Sequence, residues 1–427
     1  MKTRMDRHPT LAGPGATALL ATSILARLPL AMFSIALLVQ AQRLTGSFAV
    51  AGLVSGAYAI ASAAAAPLLG GLVDRCGQTR VLVCGGVATA LVLVADGLLR
   101  DGTPASVLVG LGAASGFCTP PLAACVRTLL PEIVADPVQL PALFALESTV
   151  LELTFVAGPP LALGLGSLWS PGVALMISGS VMLVGTLAFA VQPASRRWRP
   201  ERGAPRERGG SLRSPTIRVL VAIVLFTGSA FGATEVGVTA AAHSLGAGAA
   251  AGPLLGLWGV GSLLGGIVAT RSGGGARSAR GLILLLSALA VGHGALMLAT
   301  GSVVAIGIVI TLAGATIAPT VSSVYATVDS AAPAGTHTEA FSWLLAASLV
   351  GASLGSAAAG GLAQAAGPAV ACAVVAAAGG AAVAVALFGS RSLRGAARGR
   401  DRCLRATTSQ VTTIETGDIC GSAPMPA

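Results

Sequence analysis

Twelve long apolar runs account for most of this 427-residue chain. A helix needs about 20 mainly apolar residues to cross the hydrocarbon of a bilayer, and each run is long enough. Only 10% of the residues are charged, whereas soluble proteins are about a quarter charged. We therefore predict an all-α integral membrane protein. Its predicted helices cover residues 17–41, 48–72, 79–99, 104–127, 140–166, 169–191, 216–243, 250–270, 279–299, 302–327, 338–364 and 367–389.

Basic residues between the runs predict how the chain is oriented. If the N-terminus is cytoplasmic, 23 of the 26 Lys and Arg residues fall on the inner side, as the positive-inside rule requires. Only Arg43 and Arg100 then face outward, and Arg27 lies inside the membrane. We predict a multi-pass protein of the plasma membrane with both termini in the cytoplasm. Because the net charge of +10 is explained by topology, we expect no nucleic-acid partner.

Polar segments divide the runs into two sets of six. We predict an N-terminal six-helix bundle at 1–191, a cytoplasmic linker at 192–215 and a C-terminal bundle at 216–389. The remaining segment, 390–427, is polar and rich in Ser, Thr and Arg, which is typical of a disordered tail.

The two halves also resemble each other in sequence. Leu69-Gly70-Gly71-Leu72-Val73 recurs as Leu264-Gly265-Gly266-Ile267-Val268, and Pro121 corresponds to Pro319. The offsets are close to half of the chain, so we expect a duplicated six-helix unit. Parallel repeats around a site near the bilayer midplane are typical of secondary transporters.

A polar stretch at 70–80 separates the second and third runs, and we expect it to form a charged turn at the cytoplasmic face. It fits the pattern Gly-x-Leu-x-Asp-Arg-x-Gly-x-x-Arg. The residues that match are Gly70, Leu72, Asp74, Arg75, Gly77 and Arg80. The stretch resembles the loop between helices 2 and 3 of the major facilitator superfamily, and the resemblance extends over residues 15–390.

That resemblance implies two six-helix bundles, related by a pseudo-two-fold axis, with a central cavity lined by helices 1, 4, 7 and 10. The side chains expected around the cavity are Arg27, Met32, Phe117, Thr119, Phe226, Phe231 and Thr316. Glu235 either lines the outward vestibule or lies at the headgroup level. The mostly apolar lining suits lipophilic or amphipathic compounds better than sugars, which need many hydrogen-bonding partners.

The resemblance also implies that the 70–80 stretch is a conformational switch. In the family, its acid meets the N-terminal end of helix 11, a positive dipole end. Asp74 would then reach toward Thr338 and Glu339, and Arg75 would offset the like charge of Glu339.

Three ionisable residues are predicted to lie within the membrane, where charges mark functional sites by default. They are Arg27 in helix 1 and Glu147 and Glu152 in helix 5. From their depths we expect Arg27 to pair with Glu152, and one glutamate to exchange a proton. A permanent structural ion pair is the alternative. Arg127 is assigned to the cytoplasmic end of helix 4.

Gly158-Pro159 resembles the core of the motif that marks drug–proton antiporters in the superfamily, although Thr154, Ala162 and Leu163 depart from it. Proline removes a helical hydrogen bond and kinks the helix. We therefore expect Gly158 and Pro159 to bend helix 5.

Motifs for other chemistry are missing from the sequence. There is no phosphate-binding loop, no His-Glu-x-x-His and no Cys-x-x-Cys pair among the seven cysteines, so we predict neither an enzyme nor a metal site nor a cofactor. The function expected is proton-gradient-driven efflux of small hydrophobic compounds by a bacterial, monomeric transporter whose other partner is the lipid bilayer. The alternatives are an uptake permease of the same fold and a non-transporting membrane sensor or assembly protein.

Overall fold

The computed structural model describes residues 14–134, 139–198, 210–276 and 278–396. Twelve membrane-crossing spans follow one another, and spans 4, 9 and 10 each consist of two helices. In chain order the spans are Pro14–Thr45, Phe48–Cys76, Gln78–Gly97, Ala105–Cys118 with Leu122–Ile133, Leu140–Leu168, Pro171–Ala190, Pro215–Ser244, Ala251–Arg271, Ala279–Gly294 with Leu296–Ala299, Val303–Gly314 with Ile317–Ala331, His337–Ala366 and Pro368–Phe388. Two short helices, Pro193–Arg197 and residues 390–396, and two 3₁₀ turns, Gly210–Arg213 and Gly248–Ala250, complete the described elements.

These spans confirm the predicted all-α membrane fold. Within the described residues, eleven helical segments are long and apolar enough to cross a membrane, and the 29-residue helix Leu140–Leu168 completes the twelve. Each predicted run coincides with one span. The predicted disordered tail begins with a helix at 390–396, which corrects that part of the prediction. Its remaining residues lie outside the described part of the chain, as do 199–209 of the predicted linker.

Serine residues start many of the spans. The serine hydroxyl just before the helix accepts a hydrogen bond from a main-chain N–H in the first turn, which satisfies one of the four unpaired donors there. The serines and their donors are Ser47 with Val50, Ser170 with Val173, Ser214 with Ile217, Ser278 with Gly281 and Ser302 with Ala305.

The polar stretch 70–80 is not a turn of several residues, and this corrects the sequence prediction. Span 2 continues as a helix to Cys76, and span 3 begins at Gln78. Gly77 alone separates them, with φ +90° and its N–H bonded to the Val73 carbonyl. Only glycine adopts this backbone conformation without strain, so the charged residues lie on helix ends.

Helix breaks occur at like positions in the two halves. Span 4 is interrupted at Thr119–Pro121 and span 10 at Ala315–Thr316. Pro121 precedes the second helix of span 4, and Pro319 lies in the first turn of the second helix of span 10. Proline has no N–H and clashes with the preceding turn, which explains why the repeated prolines accompany the breaks.

Buried apolar clusters show that the two halves meet at one end only. We call this the linker end, because Asp74, the start of span 7 and the start of span 11 lie there. One cluster joins residues of both halves at the linker end, including Phe144, Tyr325 and Phe341. At the other end, the far end, one cluster contains N-half residues alone and two contain C-half residues alone. The gap between the halves is therefore closed at the linker end.

Candidate functional site

Asp74 joins the two halves at the linker end. Its Oδ1 accepts a hydrogen bond from the Thr338 N–H at 3.2 Å, and its Oδ2 accepts one from the Glu339 N–H at 2.8 Å. These donors belong to the first turn of span 11, whose own N-cap residue makes no side-chain cap. A carboxylate is favourable there because the first-turn N–H groups carry partial positive charge. The contact predicted from the resemblance is present.

Glu339 points away from Asp74, so the like charges do not conflict in the way that the sequence suggested. Its Oε1 accepts hydrogen bonds from the Ser211 N–H at 3.0 Å and the Ser211 hydroxyl at 3.1 Å. The end of the linker thus binds the same helix start that Asp74 caps. Arg75, which we expected to mediate, is exposed.

The backbones of the two halves also approach each other closely at the linker end. A Cβ built on Gly70 would overlap the Ser342 side chain and the Thr338 carbonyl. Nearby, the Thr128 and Thr338 hydroxyls, one from each half, are 3.1 Å apart. Gly70 therefore lets span 2 reach span 11.

A cavity of about 400 Å³ opens beside Gly77. It is lined by residues at the start of span 3, Arg80 among them, and by Arg196 and Trp198. Arg80 is exposed, and it takes no part in the contact between Asp74 and span 11.

Spans 1, 4 and 5 carry a buried cluster of three charged side chains. Glu147 Oε1 accepts a hydrogen bond from Arg27 Nη1 at 2.7 Å, and its Oε2 accepts one from Arg127 Nε at 3.2 Å. All three side chains are at most 3% exposed. A buried charge is tolerated when it is paired and hydrogen-bonded, and Glu147 pairs with both guanidinium groups. The cluster keeps one excess positive charge, and Nε and Nη2 of Arg27 have no hydrogen-bond partner within the described residues.

Two sequence predictions change here. Arg27 pairs with Glu147, whereas we expected Glu152, whose side chain lies outside the described residues. Arg127, which we assigned to the cytoplasmic end of helix 4, is a buried member of the cluster. We had estimated the depth of Arg27 by counting residues from the start of helix 1. That estimate was wrong because span 1 begins at Pro14 and is 32 residues long, so its start does not mark the membrane surface.

Arg127 also connects the cluster to the other half. Its guanidinium carbon lies 3.8 Å from the centroid of the Tyr325 ring in span 10, a cation–π contact. Tyr325 in turn packs with Phe144 and Phe341 at centroid distances of 6.1 and 5.9 Å. These aromatic rings, which come from both halves, close the gap at the linker end. No sequence pattern marked Tyr325 as functional, because an aromatic residue in a membrane helix is ordinary.

The residues expected to bend span 5 lie in one unbroken helix, Leu140–Leu168. A Cβ on Gly158 would meet Ala31 of span 1, so this glycine permits close packing of the two spans. The Pro159 side chain lies outside the described residues, and the bend stays a prediction.

The residues expected around the central cavity do not all face it. Met32 is 4% exposed and lies in the N-half core, with the Ser178 hydroxyl 3.9 Å from its sulfur, which corrects its assignment. The Phe231 ring packs on Trp258 and His293 at centroid distances of 5.5 and 5.8 Å. Phe117 is half-exposed and Glu235 is exposed.

Three further residues from that prediction lie beside the helix breaks or on span 7. The Thr119 hydroxyl donates to the Ser115 carbonyl, and the Thr316 hydroxyl to the Ala313 carbonyl, each at 2.7 Å. Phe226 is partly buried. Both threonine hydroxyls are thus already used locally, at the breaks of spans 4 and 10.

Trp258 and His293 form a polar pair that the sequence did not reveal. Trp258 Nε1 donates to His293 Nε2 at 3.0 Å, and His293 Nδ1 lies 2.9 Å from the Leu289 carbonyl. With Nε2 accepting, Nδ1 carries the proton and donates to that carbonyl. The fully buried His293 is therefore a neutral support for the aromatic side chains of spans 7 and 8.

Comparison with known proteins gives the same architecture. The Major Facilitator Superfamily profile matches residues 19–344. A bacterial homologue of the iron transporter ferroportin, crystallised in an outward-facing state, is similar over 89% of this chain and 100% of that chain, with 18% identity and a TM-score of 0.71.

The human organic anion transporter MFSD10 (TETRAN) is similar over 88% of this chain and 99% of that chain, with 15% identity and a TM-score of 0.69. No curated protein matches the sequence significantly. The family profile covers well over half of the chain, and each of these structural similarities covers close to nine tenths of it. The chain therefore belongs to the major facilitator superfamily and is a membrane transporter.

Proposed function

We propose that the protein is a proton-coupled exporter of small hydrophobic or amphipathic compounds, working by alternating access. In this proposal the linker end lies in the cytoplasm of a bacterial cell. The distribution of arginines supports that orientation. The gap between the halves then opens outward in the present structure.

The chain of contacts from Glu147 through Arg127 to Tyr325 is the observation that carries the coupling. Glu147 belongs to the N-half and Tyr325 to the C-half, so a change of charge at Glu147 acts on a contact between the halves. Protonation would leave two buried guanidinium groups without a counter-charge, which is costly. The cluster therefore favours proton uptake only together with a rearrangement that admits water or separates Arg127 from Tyr325.

The surfaces that line the gap support the substrate class. Phe117 and Phe226, which the resemblance assigns to the gap, are partly exposed, and the Thr119 and Thr316 hydroxyls are bonded to main-chain carbonyls. A site with few free polar groups binds apolar surface and offers little to a sugar.

Transport by the purified full-length chain in proteoliposomes tests the proposal. Amphipathic fluorescent dyes of both charges serve as probes, with an imposed pH gradient and a protonophore control. We expect the wild type to move dye against its gradient only while the pH gradient persists. Glu147→Gln should exchange dye without responding to the gradient, and Asp101→Asn, at an exposed loop acid, should behave as wild type.

A second variant guards against misfolding of Glu147→Gln. Arg27→Gln combined with Glu147→Gln removes one cation with the anion, so that the remaining Arg127 keeps its Tyr325 contact. If this double variant and Glu152→Gln both retain gradient-driven efflux at the wild-type rate, proton coupling at this cluster is wrong. Movement of dye only into the cytoplasmic side would instead support the uptake permease.

A further inference from the structure

Glu235 differs from every other charged side chain that the structure describes. It is the only exposed one that lies more than two helical turns from the end of its span. Span 7 has 30 residues, and Glu235 lies about 8 Å beyond the midpoint, toward the far end. The hydrocarbon extends about 15 Å on either side of the midplane. A span 7 centred on the bilayer midplane therefore places Glu235 at hydrocarbon depth.

The direction of Glu235 follows from its neighbours on span 7. Ala230, Ala233 and Gly237 pack on span 12, and Glu235 is about 140–160° away from them around the helix. Gly232, which is about 60° away, packs on Ala352 of span 11. Phe231, about 40° away, packs on Trp258 of span 8. Glu235 thus points between spans 8 and 11.

Span 8 contacts span 5 of the N-half, and span 11 contacts span 2. A side chain that points between them faces the gap between the halves. This agrees with the cost of placing a carboxylate against lipid, which leaves a water-filled cavity as its alternative.

The carboxylate has no counter-charge within the part of the chain that the structure describes. The two ion pairs found there are those of Arg27 and Arg127 with Glu147. Both arginines are buried with Glu147, and neither forms an ion pair with Glu235. The exposed anion in this path is therefore matched by charge that arrives from outside the protein.

Aromatic rings lie one turn below the carboxylate. Phe231 is four residues before Glu235, on the same helix face, and its ring packs edge-on against Trp258. Trp258 is held by its hydrogen bond to His293. Carboxylate plus aromatic rings is the combination that binds organic ammonium and similar cations, whereas a metal ion needs several oxygen or nitrogen ligands.

We infer that the transported compounds are lipophilic organic cations, and that Glu235 binds their positive charge over the ring of Phe231. The inference rests on the proposed function in treating the gap as the substrate path. It narrows the substrate class from hydrophobic compounds of any charge to cations.

Equilibrium binding to the purified full-length chain in nanodiscs tests the inference. Tetraphenylphosphonium and tetraphenylborate have the same shape and opposite charge, so they separate charge recognition from apolar binding. We expect the wild type to bind the cation and not the anion. Glu235→Gln should lower cation affinity by about tenfold, Glu235→Asp should retain most of it, and Asp101→Asn should leave it unchanged.

Either of two results would overturn the inference. One is equal binding of the two ions by the wild type, and the other is unchanged cation affinity in a Glu235→Gln variant that melts at the wild-type temperature. These measurements use no proton gradient and hence do not depend on the coupling. Cation binding through Glu235 combined with gradient-independent transport would refute the coupling and keep the substrate class.

Discussion

Asp74 Oδ2 accepts a 2.8 Å hydrogen bond from the main-chain N–H of Glu339, which is 265 residues later in the chain. This bond and its neighbour to Thr338 attach the end of span 2 directly to the start of span 11. Because the acceptor is charged and the donors lie at a helix N-terminus, both bonds depend on the ionised carboxylate.

Replacing Asp74 with Asn should slow transport while leaving the protein in the membrane. The amide keeps one acceptor but loses the charge, which weakens the linker-end contact by about 1.4 kcal/mol, a factor of about ten. Initial transport rates in proteoliposomes, normalised to reconstituted protein, measure the effect. Asp101→Asn is the matched control. Wild-type rates in Asp74→Asn would show that the contact does not control the transport cycle.

Replacing Gly70 with Ala should loosen the linker end. The new methyl group would overlap Ser342 and the Thr338 carbonyl, and overpacking of this kind costs about 1–3 kcal/mol. The readout is alkylation of the buried Cys125 in a background where the other cysteines are serine. Labelling should accelerate in Gly70→Ala. Gly56→Ala, where a Cβ meets nothing within 4 Å, should label at the parent rate, and equal rates in both variants would contradict the prediction.

Replacing Glu147 with Gln should lower the melting temperature substantially. The change leaves two buried guanidinium groups facing a neutral amide, and loss of one partner of a buried ion pair typically costs about 3–5 kcal/mol. The double variant Arg27→Gln with Glu147→Gln should recover part of the loss. Thermal unfolding of the purified protein in detergent compares the three proteins. A single variant as stable as the wild type would mean that the cluster is hydrated.

Replacing Trp258 with Phe should destabilise the C-half through His293. The phenyl ring has no donor for His293 Nε2, and an unsatisfied buried acceptor costs about 1–3 kcal/mol. Trp169→Phe changes an exposed tryptophan and controls for the general effect of the substitution. The same melting assay should separate the two variants. Identical melting temperatures would indicate that the Trp258–His293 bond contributes no net stability.

The apolar runs predicted the fold well, because membrane helices are specified by length and composition, which a sequence displays directly. The motif at 70–80 predicted the contact of Asp74 with Thr338 and Glu339 through its resemblance to a family. We did not predict that the motif forms the end of a helix, because its charged residues are typical of a loop. The helix ends only at Gly77.

The charge cluster was harder to predict, since it depends on how helices tilt and pack. Arg27 was recognised as an intramembrane cation, but its partner depended on relative depth, which residue counts do not supply for a 32-residue helix. Arg127 near a span end looks like any topology-determining arginine. Only its packing against Glu147 and Tyr325 distinguishes it.

The single residue between spans 2 and 3 has a mechanical consequence. Consecutive Cα atoms are about 3.8 Å apart, so the single residue Gly77 lets the two helices move very little relative to each other. The hydrogen bond from its N–H to the Val73 carbonyl restricts that movement further. A pull on Asp74 from span 11 is therefore transmitted at once to span 3, which packs along span 6. One carboxylate thus connects the start of span 11 to span 3 and, through span 3, to span 6.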